Sequence, residues 1–160
     1  MVEVEKAMRV YVGTLVSYLA ARRSRNRIVR AHQEVTRRWW RQRAAFDVFA
    51  SPLVAEEAGR GDVVARMRRQ RLLRDLSLLE ITDDTRAVAR RLLARGPLPA
   101  HAEGDALHIA VAAVHGMEYL VTWNCRHIAN AWMRPEIEET IRELGYEPPV
   151  LCTPEELLEE

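Results

Sequence analysis

Three short stretches of this chain carry side chains suited to holding a hard cation against a phosphodiester. In SPLVAEEAGRGD, Glu56 and Glu57 stand on the first turns of a short helix. Asp105 abuts the apolar run ALHIAVAAVHG, with Glu103 two residues before it, and YLVT leads straight into WNCRHIAN, which puts Asn124 just past a strand-like segment. Carboxylate and amide oxygens suit Mg2+ or Mn2+, cations that take few protein carboxylates and keep water for a substrate phosphate. The phosphodiester supplies further oxygens, and metal-bound water becomes a usable nucleophile. Each residue also has a plainer reading. Acids near a helix start are favoured by the helix dipole alone, and Asn is common in turns. Asp105, beside so apolar a helix, must either cap it or be held near the interior for a purpose.

Other reactive side chains offer less. His108 lies three residues after Asp105 and shares its helix face, where it could support the site acids or meet phosphate; the plainer reading is a packed, hydrogen-bonded histidine. His115 and His127 have no metal partner at a fixed local spacing, which argues against zinc. Cys125 neighbours Asn124 but has no evident base to activate it. Trp39 and Trp40 are adjacent on one helix, so Trp39 is assigned to packing and Trp40 to the surface or a partner contact. Trp123 and Trp132 are left open between the cleft and a dimer surface.

The elements that must position these groups follow from patterning. Met8–Val12 is short, apolar and β-branched and reads as a first buried strand, turning at Gly13-Thr14 into a helix begun by Leu15, Val16, Tyr18 and Leu19. Ile28 through Arg43 reads as a basic helix with Ile28, Ala31, Val35 and Trp39 on one face. Phe46–Ala50 is a second strand, and Ser51 is placed to cap the helix Pro52–Ala58 with its hydroxyl. Further helices are expected over Asp62–Arg74, from Asp83 or Asp84 as cap to Arg95, over Ala106–His115 and over Pro135–Leu144. Strands are expected at Ser77–Ile81, Tyr119–Thr122 and Val150-Leu151, with a short acidic helix at Pro154–Leu158. Strands alternating with helices indicate an α/β fold, a mainly parallel sheet of four to five strands covered on both faces, with ligands bound beyond the strands' carboxyl ends.

Composition bounds the function. The 160 residues, 48% hydrophobic and 29% charged, read as one domain spanning 1–160 and exclude disorder, collagen-like repeats and a full-length coiled coil. No apolar run approaches the ~20 residues a membrane span needs, the first ten residues lack the basic start of a signal peptide, and two cysteines are too few for a disulfide framework, so the cytoplasm is the expected compartment. The net charge of +1 hides nine arginines against Glu34 alone between Arg22 and Arg43, and nine glutamates against Arg142 alone between Glu136 and Glu160. Such halves can attract each other, or the basic one can serve a polyanion.

SPLVAEEAGRGD, DALHIAVAAVHGMEYLVTWNCRHIANA and GYEPPVLCTPEEL together resemble a bacterial branch of the PIN-domain proteins, small α/β metal-dependent nucleases that include the VapC-type toxins of toxin–antitoxin pairs. The resemblance runs from about Val10 to Leu157. It implies a three-layer fold and Mg2+- or Mn2+-dependent cleavage of RNA. It implies Glu57, not Glu56, as the second acid, Asp105 as the third, and Asn124 as the polar group acting on the metal through water or on substrate. Thr122 would contact phosphate or water. Arg37, Arg38 and Arg41 fall in the segment that would grip the RNA backbone or receive an acidic antitoxin tail, and homodimerisation is common in the family. One departure stands out: the family's first acid belongs where YVGTLVSYL has Gly13. A divalent site that loses one of three carboxylates loses affinity and rate, so the resemblance also allows a catalytically impaired module that binds RNA or protein. Glu3 and Glu5 precede the strand and are expected at its far end, which leaves Asp62 or Glu103 to supply a substitute carboxylate.

Overall fold

The computed structural model describes residues 6–159; Glu3, Glu5 and Glu160 lie outside them. Five strands form one sheet, β1 (Met8–Val12), β2 (Phe46–Ala50), β3 (Ser77–Leu78), β4 (Tyr119–Val121) and β5 (Val150–Cys152), in the spatial order β3-β2-β1-β4-β5. Every pairing is parallel, with Val10 opposite Val48 on one side and Tyr119 on the other. The chain moves outward from β1 through β2 to β3, then returns to β4 on β1's other flank. The carboxyl ends of β1 and β4 therefore flank the point where strand order reverses, the place where open α/β sheets bind ligands.

Two groups of helices cover the sheet. The first is α1 (Leu15–Ala20), α2 (Arg27–Arg41), α3 (Pro52–Ala58) and α4 (Val63–Leu73), in which α1 packs on both α2 and α4. The second is α5 (Asp83–Arg95), α6 (Glu103–Val114) and α7 (Arg134–Glu143), in which α5 packs on α6 and α7. Crossovers of constant hand that run in opposite directions from β1 must lie on opposite faces of the sheet. Val10, Tyr11 and Val12 of β1 are wholly buried, as expected of a central parallel strand. So is most of α6: Ala106, Ile109, Ala110, Val111 and Ala112 have no exposed surface, the pattern of a helix apolar on all sides. Each buried Val or Ile side chain contributes about 1.5–3 kcal/mol by leaving water, and each Ala methyl about 0.8 kcal/mol.

The structure departs from the sequence reading in five places. Ser51 precedes α3, but its hydroxyl makes no capping bond and instead meets the Tyr11 hydroxyl at 2.7 Å. Helix α2 buries Gln33, Thr36 and Trp39, while Ile28 is 69% exposed. The cap of α5 is Thr82, whose hydroxyl accepts from the Thr85 N–H while the Thr85 hydroxyl accepts from the Thr82 N–H. Strand β3 spans two residues, short of the expected Ile81. Helix α6 begins at Glu103, so Asp105 lies within its first turn rather than ahead of it.

Among the described residues, the acidic C-terminal quarter does not answer the basic segment with ion pairs. Glu139 and Glu143 pair with Arg95 of α5, and Glu138 and Glu147 pair with Arg142. The C-terminal 3-10 turn Pro154–Leu157 packs on α2, and just past the end of that helix the Gln42 side chain donates to the Glu159 carbonyl (3.2 Å) and accepts from its N–H (3.1 Å).

Candidate functional site

Glu57 and Asp105, 48 positions apart in the chain, meet at the carboxyl edge of the sheet. Helix α3 starts directly after β2 and carries Glu57 back across that edge, over the first turn of α6. A Cβ on Gly104 would lie 3.9 Å from Glu57 Oε1, and Asp105 is the next residue. The exposed backbone N–H groups of that first turn favour negative charge and offset part of the repulsion between the two carboxylates.

Each acid is held by an imidazole. His108 Nε2 lies 3.3 Å from both Glu57 oxygens, and its Nδ1 lies 2.7 Å from the Tyr11 hydroxyl, which in turn meets Ser51 Oγ at 2.7 Å. Tyr11, Ser51 and His108 are buried. Burial pushes the Tyr11 phenol well above the usual tyrosine value; the Ser51 hydrogen bond opposes this and the nearby Glu57 charge adds to it. Asp105 is held from the other side of the crevice. Asn124 Nδ2 donates to Asp105 Oδ1 at 2.9 Å, and His127 Nδ1 lies 2.7 Å from Asp105 Oδ2. Asn124 Oδ1 also accepts the His127 N–H at 3.0 Å, so the amide ties both partners of the acid together. The Thr122 hydroxyl accepts the Asn124 N–H at 3.0 Å and shapes the turn that aims the amide.

Gly13 follows the end of β1 and stands beside His108. A Cβ there would have His108 Nδ1 at 3.9 Å as its nearest neighbour, so the position has room for a side chain but carries none. Glu56 points away, pairing with Arg60 at 3.2 Å, and Asp62 caps α4 by accepting from Ala65 N–H. Neither takes the missing place. His108 pairs with Glu57, not with Asp105 on its own helix face.

The arginines divide by height along α2. Trp123, just past β4, stacks on His32 (3.9 Å between ring centres, 5° between planes) and donates to the Thr36 hydroxyl at 2.7 Å. Thr36 and the turns before it therefore stand at or above the carboxyl edge. Arg41 comes just before the 3-10 turn that feeds the amino end of β2 and lies toward the opposite edge. Arg38 and Arg41 are exposed, and Arg37 donates to the Ala21 carbonyl at 3.3 Å. The arginines nearest the crevice are those of the α1–α2 loop and the start of α2. Among the described residues, Arg22, Arg25, Arg27 and Arg30 have no carboxylate within ion-pair distance. Arg22 and Arg68 line a cavity of about 370 Å3 between α1 and α4, together with Asp62.

Sequence reasoning missed His127, Tyr11 and the Ser51 contact. His127 had a signal in its position three residues past Asn124, within the loop that leaves β4. Tyr11 had one in its hydroxyl, since a phenol inside a central strand must find a partner.

The donors test poorly as a metal site. Carboxylate oxygens are the right kind for Mg2+ or Mn2+, but Gly13 supplies none, and each Asp105 oxygen already accepts one hydrogen bond from a protein group, which leaves it a single lone pair for an ion. Among the described residues no three His, Cys, Asp or Glu side chains are grouped to hold an ion.

A doubly wound parallel sheet with two acids at its switch point defines the class: an α/β protein built to present carboxylates at the strand ends. The PIN domain profile matches residues 26–132, two thirds of the chain, and the chain belongs to the PIN domain family. Membership points to a nuclease-type function, and PIN domains generally use divalent metals. Among curated proteins none matches the chain. No described helix is long and apolar enough to cross a membrane.

Proposed function

We propose that the chain is an RNA-binding PIN-domain protein with a reduced nuclease site. It grips the RNA backbone through the unpaired arginines beside the crevice and cleaves at most slowly. One observation carries this reading: the position after β1 is Gly13, and the remaining acids, Glu57 and Asp105, are held by His108 and by Asn124 with His127. Arginines that contact phosphates release counterions, so the affinity falls as salt rises. An acidic antitoxin segment would bind the same arginines by the same charge, and a second copy of the chain would complete a homodimer.

A second reading, a Mg2+- or Mn2+-dependent ribonuclease acting as the toxin of a toxin–antitoxin pair, is favoured by the meeting of Glu57 and Asp105 at one edge. Labelled single-stranded RNA with Mn2+ separates the two. The first reading expects salt-sensitive binding by the unaltered chain, little cleavage, and cleavage at least about ten-fold faster in Gly13→Asp, which restores an acid where there is room for one. Efficient cleavage by the unaltered chain that EDTA and Asp105→Asn both abolish, and that Gly13→Asp does not improve, establishes the second reading instead.

A further inference from the structure

Trp132 is the most exposed large apolar side chain among the described residues, at 94%. It belongs to the loop that leaves β4 and carries Asn124 and His127 to the acids. Helix α7 starts two residues later and runs down to feed β5, so Trp132 stands at the carboxyl edge of the sheet with the crevice. Trp123, from the same loop, is spoken for by His32 and Thr36. Among the described residues, Trp132 has no such partner.

Its backbone is nevertheless fixed. Asn130 Oδ1 accepts the Trp132 N–H at 2.9 Å, while Asn130 Nδ2 donates to the carbonyls of Cys125 and Arg126 at 3.1 Å each. One amide thus staples the loop shut beneath the indole. A ring presented from a closed loop loses little further freedom when something stacks on it. The surroundings identify the occupant. Cys125, Arg126 and Ala131 are exposed, and the other exposed large apolar residues, such as Val63, Val64 and Met67 on α4, lie on other elements. A protein interface wants a contiguous apolar patch at its centre, which this indole lacks. Exposed Arg126 is tied into the same loop through its carbonyl, exposed Glu136 lies in the first turn of α7, and an isolated flat ring suits stacking with an unpaired base.

We propose that Trp132 is a stacking platform for a base of single-stranded RNA on the α7 side of the crevice, opposite the arginines of the α1–α2 loop. The inference rests on the RNA reading above and adds to it a contact with the base. Stacking on an aromatic is sequence-tolerant, so the platform helps hold the strand without selecting its sequence.

The test is the affinity of a labelled oligouridine for the full chain in EDTA, followed by fluorescence anisotropy. Trp132→Ala weakens binding about ten-fold, Trp132→Phe keeps most of it, and Trp132→Leu behaves as Trp132→Ala because a branched alkyl group does not stack. With an abasic strand the unaltered chain and Trp132→Ala bind alike. Unaltered binding in Trp132→Ala, or full rescue by Trp132→Leu, overturns the platform and leaves RNA binding by the arginines standing. Failure of the unaltered chain to bind oligouridine overturns the RNA reading itself. Light scattering supplies the remaining outcome: a dimer that Trp132→Ala splits, at unchanged RNA affinity, assigns the indole to a second copy and overturns the proposal. An exposed side chain leaves the fold intact when replaced, which matching melting curves verify.

Discussion

The two halves of the crevice hold their acids in different ways. Glu57 hangs from the core: its imidazole partner His108 is buried, and behind it Tyr11 and Ser51 join β1 to the end of β2. Asp105 is held by a loop: Asn124 and His127 leave β4 together and are only partly buried. A group wired into the interior couples the site to stability, because removing one member strands its neighbours out of reach of water. A group on a loop couples the site to motion and ligand, since its partners turn to solvent when freed. The Glu57 half is therefore the scaffold and the Asp105 half the adjustable side.

Substitutions sharpen that contrast. The largest effect is expected from His108→Ala, which opens a cavity in α6 and leaves the Tyr11 hydroxyl short of a partner; a loss of about 2–4 kcal/mol in urea unfolding is expected. A loss below about 1 kcal/mol would remove the distinction between the halves. Tyr11→Phe deletes the phenol but keeps the ring, and is expected to cost about 1–2 kcal/mol.

Tyr11 also predicts a pH dependence. Its folded pKa is raised above the ordinary value of about 10, so the neutral phenol's contribution is intact below that pH and is lost as pH rises through the alkaline range. Unfolding free energies at pH 8 and pH 11 should differ more for the unaltered chain than for Tyr11→Phe. Equal differences would assign the alkaline loss to other groups.

On the loop side, Asn124→Ala and His127→Ala are each expected to cost under about 1 kcal/mol of stability, while changing RNA handling through the freed Asp105. The smallest effect concerns the thiols. Cys125 is exposed; Cys152 is buried, and burial pushes its thiol up to about 12, with Glu156 adding to the rise and Arg134 opposing it. One thiol per chain should react with a disulfide reagent in the native state and two in denaturant. Rapid reaction of both would show that the sheet edge at β5 opens readily.

Much of the scaffold was legible because it rests on local pattern. The apolar, β-branched run Met8–Val12, the strand Phe46–Ala50 and the helix Pro52–Ala58 have the bounds expected of them. The buried face of α2 was not legible. Its apolar stripe through Ile28, Ala31 and Val35 lost to Gln33, which ties down the α1–α2 loop through Ser24 N–H and the Arg22 carbonyl, and to Thr36, which takes the indole N–H of Trp123 from 87 residues away. Polar partners supplied by distant segments decided which face turned inward.

The same division runs through the site. Residue types alone determined that the chain carries acids at a helix and a helix start and an amide past a strand; the family resemblance added that glycine stands in place of a first acid. Only the folded sheet decided that Glu57 answers to His108 and Asp105 to His127. Hydrogen bonds need atoms within about 3 Å, and that proximity exists only once parallel strands bring the ends of β1, β2 and β4 to one edge.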